Sequence, residues 1–208
     1  MIVVHHLNES RSQRVLWLLE ELGVPYDITF YQRDPRTNLA PPDLKAVHPL
    51  GKSPVITDGD RVVAESGAII DYIVRRHGRG RLQPDPADAA YDDYVQWLHY
   101  AEGSAVLPLV MKSVAERAGK WLAPLRRHAE AEIALHLEYI DQRLADHPFL
   151  LGDSLTGADV QMSFVGELAG VSVDRSAYPN VDAWVRRLHA RPAYQAALAR
   201  GGPYRLAQ

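Results

Sequence analysis

The sequence has no cysteine in its 208 residues. That excludes structural disulfides, zinc held by thiolates, and catalysis by a thiol of the protein itself. Any sulfur chemistry must arrive on a ligand. Long apolar runs are also missing, and nothing approaches the ~20 residues that span a bilayer. Neither charge sign is in excess. Lys and Arg total 23 against 26 Asp and Glu, a net charge of -3 with a pI near 6.3, so there is no electrostatic footprint for nucleic acid or an anionic membrane. The N-terminal MIVVHHLNES lacks the basic-then-apolar plan of a signal peptide. A cytoplasmic location is the expectation. What is present is the composition of a soluble globular protein: 47% apolar, 24% charged, mean hydropathy -0.23, with enough chain for one large domain or two small ones.

The first third alternates strand and helix patterns. IVVHHL is a β-rich run, followed by the turn and cap cluster Asn8, Glu9 and Ser10. RSQRVLWLLEEL places Val15, Leu18, Leu19 and Leu22 at helical spacing, and Gly23 follows where a C′ glycine belongs. VPYDITFY reads as a second strand. Residues 32–47 read as a loop with at most a short helix. PVIT and RVVA are short strands joined by the turn Asp58, Gly59, Asp60, and ESGAIIDYIVRRHG is a helix with Ile69, Ile70, Ile73 and Val74 inward. Residues 77–90, broken by Gly78, Gly80, Pro84 and Pro86, read as a linker. Beyond them every period is helical: one long helix from about 89 to 119, another from about 124 to 145 with Ile133, Leu137, Ile140 and Leu144 in register, and shorter helices at about 157–170, 180–190 and 192–200. The expectation is α+β: an N-terminal thioredoxin-like domain with a four-stranded mixed sheet at residues 1–79, then an all-α helical domain at residues 87–208.

Three clusters bear on chemistry. Pro54 stands at the entry of the third strand, where a proline cannot donate to the ladder. In a sheet of this type a cis bond before Pro54 would turn the N–H and C=O of Ser53 outward, to pair with a bound peptide as a very short added strand. Glu65 and Ser66 open a helix. Ser66 suits a plain cap or first-turn role, and the same helix end suits a ligand carboxylate. Lys52 could reach that anion or be a solvated surface lysine. Ser10 precedes the first helix, where its hydroxyl is either a simple N-cap or a donor to a nearby thiolate. A thiol begins near pKa 8.5, and lowering it by roughly two units takes only ~2.7 kcal/mol. Ser12 is the rival hydroxyl. His5 and His6 alternate across a strand and cannot share a metal, and no metal site is expected. Thr156 and Asp159 read as an N-cap with an acid at N3, a folding element, and Leu151, Gly152 and Asp153 ahead of it read as a turn.

SRSQRVLWLLEELGVPY, GKSPVI and ESGAIIDYI at these spacings resemble the glutathione S-transferase family, specifically bacterial cytosolic serine-type members near theta. LTGADVQM and YPNVDAWVRRLHARPAY resemble later landmarks of its helical domain, so the likeness spans nearly the whole chain. The resemblance implies that Ser10 hydrogen-bonds the glutathione sulfur and that Pro54 is the cis-proline. It implies that Ser53 pairs with the cysteinyl backbone, that Lys52 contacts the glycyl end, and that Glu65 and Ser66 hold the γ-glutamyl end. The second-substrate pocket would involve Leu7 and the first long helix, with Tyr100, Leu107 and Met111 as candidates; an aromatic and a methionine at helical spacing are also ordinary core. Glutathione is then a co-substrate rather than a permanent cofactor, the partner is a hydrophobic electrophile, and a homodimer is expected. The competing expectations are a non-catalytic glutathione-binding or protein-interaction module, and a glutathione-dependent peroxidase, dehalogenase or isomerase.

Overall fold

In chain order the elements are β1 (Ile2–Leu7), α1 (Ser12–Leu22), β2 (Tyr26–Tyr31), α2 (Leu44–Val47), β3 (Val55–Asp58), β4 (Arg61–Ala64), α3 (Ser66–His77), α4 (Ala90–Tyr100), α5 (Val106–Ala118), α6 (Ala123–Arg143), α7 (Gly157–Ser172), α8 (Pro179–His189) and α9 (Pro192–Gly201). The structure, a computed structural model, describes residues 1–207. They form two compact units: residues 1–82 together with the chain from His189 onward, and residues 83–188.

The first unit is built on a mixed sheet of order β2-β1-β3-β4. β1 and β2 run parallel, with Ile2 opposite Tyr26 and Leu7 opposite Tyr31, because α1 carries the chain back between them. β3 is antiparallel to both β1 and β4, and its tight turn to β4 uses Gly59 at φ 58°, the left-handed conformation that favours glycine. Periodicity marks one apolar face on α1, yet Val15, Leu16, Trp17, Leu18 and Leu19 are all fully buried. The reason is that α1 is covered on more than one side, by β1 and α3 and also by α9. The Trp17 and Tyr194 rings meet edge to face at 5.3 Å, and Arg200 reaches the Glu20 carboxylate at 3.0 Å. The sequence boundary that leaves residues 189–208 with the helical domain therefore differs from the packing, in which α9 completes the core of the first unit.

In the second unit the single long helix expected from 89 to 119 is interrupted. Residues 101–105 form a π turn between α4 and α5. Pro108, three residues further on, has no N–H for the carbonyl four residues back, so a regular ladder cannot pass unbroken. On α6, Ile133, Leu137 and Ile140 are buried as their spacing requires, and so is Leu144 just past its end. The start of α7 is closed by the expected capping box of Thr156 and Asp159. Asp159 is fully buried, and both of its oxygens are occupied. Oδ2 accepts the Thr156 N–H at 2.9 Å and its hydroxyl at 3.0 Å, while Oδ1 accepts the Leu150 N–H at 2.9 Å and the Trp184 indole N–H at 3.1 Å. Gly152, at φ 120°, makes the turn before it. Among the described residues no helix is long and apolar enough to cross a membrane.

Candidate functional site

The loop between β1 and α1 is fixed before it reaches Ser10. Arg33, just after β2, donates from Nε to the Asn8 carbonyl at 3.1 Å and from Nη2 to the Glu9 carbonyl at 3.3 Å, while its own N–H donates to Asn8 Oδ1 at 2.8 Å. Glu9 holds a left-handed φ of 52°, uncommon for a non-glycine residue. Its carboxylate accepts the Arg205 N–H at 3.2 Å and pairs with the Arg205 guanidinium at 3.3 Å. Sequence reasoning placed Glu9 in a turn but missed Arg33 and Arg205, because nothing in a linear pattern marks an arginine that serves a distant loop.

α1 begins at Ser12, with Arg11 ahead of it already in αR geometry. Ser10 Oγ accepts the Ser12 N–H at 3.2 Å, the hydrogen bond of an N-cap side chain. Around it runs a chain of hydroxyls. Ser10 Oγ lies 2.7 Å from Ser12 Oγ and 3.3 Å from Ser53 Oγ. Ser12 Oγ lies 2.9 Å from His6 Nδ1 and 3.4 Å from the Leu7 carbonyl. Ser53 Oγ donates to the His5 carbonyl at 3.2 Å. Ser12 is completely buried and stands behind Ser10.

The Ser53–Pro54 peptide bond is cis. Ladder pairing of β3 with β1 begins at Val55, and among the described residues the main chain of Ser53 makes no backbone hydrogen bond. Ser66 is the first residue of α3, and Glu65 is its N-cap. Glu65 is held at φ 68°, ψ 122°, a costly conformation for a side-chain-bearing residue. Ser66 is buried, and its hydroxyl accepts from Arg14 Nη2 at 3.1 Å. Arg14 is itself buried on α1, a further residue the sequence did not flag. Lys52 is exposed. Thus Ser10, Ser12, Ser53 and Pro54 come together, and Ser66 is tied to α1 by Arg14.

The two histidines of β1 do face opposite ways. His5 meets the Tyr31 hydroxyl at 3.0 Å, and His6 meets Ser12 and the edge of Phe30. Burial lowers the pKa of both rings, opposed at His6 by a hydrogen bond to the Gly201 main chain. Among the described residues no cluster of three or more His, Asp or Glu could hold a metal.

Of the pocket candidates, Leu7 is buried at the end of β1. Tyr100, Leu107 and Met111 belong to the second unit. Leu107 is exposed on α5 and Met111 is half-buried. The Tyr100 hydroxyl lies 2.6 Å from His136 Nδ1, and its ring meets Trp97 and Tyr139 edge-on at 5.3 and 5.7 Å. Burial, with Tyr139 beside it, pushes the Tyr100 phenol up to about 12, so it is a neutral hydroxyl at neutral pH.

Residues 1–75 match the family described as "Glutathione S-transferase, N-terminal domain", and residues 104–192 match "Glutathione S-transferase, C-terminal domain". Glutathione S-transferase 3 of Schizosaccharomyces pombe is 35% identical over an alignment covering 93% of this chain and 85% of that one. Glutathione S-transferase 1 of Saccharomyces cerevisiae is 29% identical, covering 94% and 93%. Among solved structures, a glutathione S-transferase from Actinobacillus pleuropneumoniae superposes with a TM-score of 0.89 at 33% identity, covering 100% of this chain and 96% of that one.

Proposed function

Because the chain belongs to the glutathione S-transferase family, we propose that Ser10 is the hydroxyl that stabilises the thiolate of its co-substrate, glutathione. The chain is a glutathione transferase; the assignments of individual residues and partners are the proposal. One observation carries it. Ser10 Oγ stands in the middle of a run of hydroxyls, between the completely buried Ser12 at 2.7 Å and the half-buried Ser53, beside the cis Pro54, at 3.3 Å. A sulfur on the open side of Ser10 receives a hydrogen bond at the N-terminal end of α1, where the helix dipole also favours negative charge. This reading makes the enzyme a serine-type transferase and puts Ser12 in support.

The main chain of Ser53, with no backbone partner of its own, pairs with the cysteinyl backbone of glutathione. Ser66, with its hydroxyl on Arg14, and Glu65 hold the γ-glutamyl end, and Lys52 neutralises the glycyl carboxylate. The thiolate then attacks an electrophilic carbon of a hydrophobic second substrate: a C–S bond forms and the leaving group departs with its electron pair. The protein contributes proximity and thiolate stabilisation. The working form is a cytoplasmic homodimer. The test is conjugation of glutathione to a chlorodinitrobenzene. Parent activity that falls at least tenfold in Ser10→Ala, with Ser12→Ala retaining more, supports the reading. Glutathione binding without conjugation of any electrophile in a broad panel would replace it with a binding module.

A further inference from the structure

A hydroxyl carries one proton, so the chain behind Ser10 can be counted. Ser53 gives its proton to the His5 carbonyl at 3.2 Å, the nearer of its two neighbours and one that can only accept. His6 donates from one ring edge to the Gly201 main chain, which leaves Nδ1 of the neutral ring as a lone pair facing Ser12 Oγ at 2.9 Å. Ser12 has two acceptors in reach, this lone pair at 2.9 Å and the Leu7 carbonyl at 3.4 Å; it gives its proton to the nearer, His6, and Ser10 gives its proton to Ser12 at 2.7 Å. With the hydroxyls running in that direction, Ser10 has no proton left for a sulfur, and its oxygen is oriented to accept one.

We propose that Ser10, Ser12 and His6 form a relay that takes the thiol proton of bound glutathione to the buried His6 ring, a step that rests on the transferase reading above. The S–H bond breaks as its proton joins Ser10 Oγ. The Ser10 proton moves to Ser12 Oγ, and the Ser12 proton forms the new Nδ1–H bond. No oxygen gains net charge, the sulfur keeps the electron pair, and His6 becomes an imidazolium. Every hydrogen bond has then reversed: Nδ1–H donates to Ser12, Ser12 donates to Ser10, and Ser10 donates to the thiolate. The same three side chains thus suit the thiol before transfer and the thiolate after it.

The surroundings of His6 explain why charge would appear there only with a thiolate present. From β2 the ring meets the edge of Phe30, from α1 Ser12, and from α9 Gly201. Glu9 and Tyr31 line the same cavity of about 180 Å³, but the Glu9 carboxylate is taken by Arg205 and the Tyr31 hydroxyl by His5. Among the described residues no carboxylate is hydrogen-bonded to His6. With the described carboxylate of that cavity engaged by Arg205, the counter-charge for His6 is an anion at the far end of the relay. Sequence reading saw the two histidines but not this role, because the spacing His6, Ser10, Ser12 becomes a contact only through the left-handed turn at Glu9.

The ¹⁵N NMR signals of the His6 ring, assigned with His6→Gln, test the relay without any turnover. Glutathione should convert His6 to the doubly protonated ring near neutral pH, whereas S-methylglutathione, which has no thiol proton, should leave it neutral. In Ser12→Ala the glutathione complex should keep a neutral His6 and show an about tenfold smaller thiolate fraction at the same pH, with affinity for S-methylglutathione within twofold of the parent. A ring that stays neutral with glutathione while the bound thiol is still acidified through Ser10 overturns the relay and leaves the transferase reading intact. So does a ring that charges equally with both ligands. Failure to bind either ligand overturns the transferase reading and the relay with it.

Discussion

Removing the Asp159 side chain is the sharpest test of how the helical unit is held together. The carboxylate is fully buried and accepts four hydrogen bonds, three from donors that cannot turn elsewhere: the N–H groups of Leu150 and Thr156 and the indole of Trp184. The Thr156 hydroxyl can rotate away. Each buried donor stranded without a partner costs about 1–3 kcal/mol. Against this, burial raises the pKa of Asp159 while its hydrogen bonds oppose the rise, so deleting the charge also relieves desolvation. For Asp159→Ala the balance is a loss of about 3–5 kcal/mol, which for a chain of this size lowers Tm by roughly 6–20 °C. Asp159→Asn keeps Oδ1 for Leu150 and Trp184 but turns an amide N–H₂ toward the Thr156 N–H, so it should cost less, about 1–3 kcal/mol. Urea unfolding followed by circular dichroism measures both, with an unchanged m-value required for the comparison. A loss below about 1 kcal/mol in the alanine variant would refute the claim that this carboxylate organises the start of α7.

Arg14→Met removes the donor to Ser66 while keeping an unbranched buried side chain, and loss of a charge-assisted hydrogen bond of about 1–2 kcal/mol predicts glutathione affinity weakened roughly 5- to 30-fold; titration calorimetry showing unaltered affinity would contradict it. At Asp58 burial raises the pKa, but the Tyr72 hydroxyl at 3.1 Å, the His77 ring at 3.0 Å and the N-terminal ammonium at 3.5 Å outweigh it, and the net shift is downward. Because the folded-state pKa is lowered, the stability it contributes is present above about pH 4 and is lost as pH falls through the lowered value. The urea midpoint of Asp58→Asn should therefore change less than that of the parent on acidification below about pH 4, and parallel curves would rule this out.

Most of the fold was legible because its signals are local. Asp58, Gly59 and Asp60 form the turn they encode, Ile133, Leu137 and Ile140 point inward as their spacing requires, and Thr156 with Asp159 closes α7. The features not legible depend on what packs from outside the segment. Nothing in PAYQAALARG states that α9 will cover α1; the π turn before α5, by contrast, has a local cause in Pro108 that apolar spacing alone passes over. The site divides in the same way. Ser10, Ser53, Pro54 and Ser66 could be picked out as candidates from order and spacing, whereas the contacts of Arg33, Arg14 and His6 with them or their loop span 24 to 52 residues or depend on a left-handed backbone turn.

The central claim is that Ser10 holds the glutathione sulfur as a thiolate. Ultraviolet thiolate absorbance of bound glutathione, measured against pH in the parent and in Ser10→Ala, tests it most directly. The account predicts a thiol pKa lowered by roughly two units from about 8.5 in the parent and largely restored in the variant. Superimposable titration curves for the two proteins, with glutathione bound in both, would contradict it.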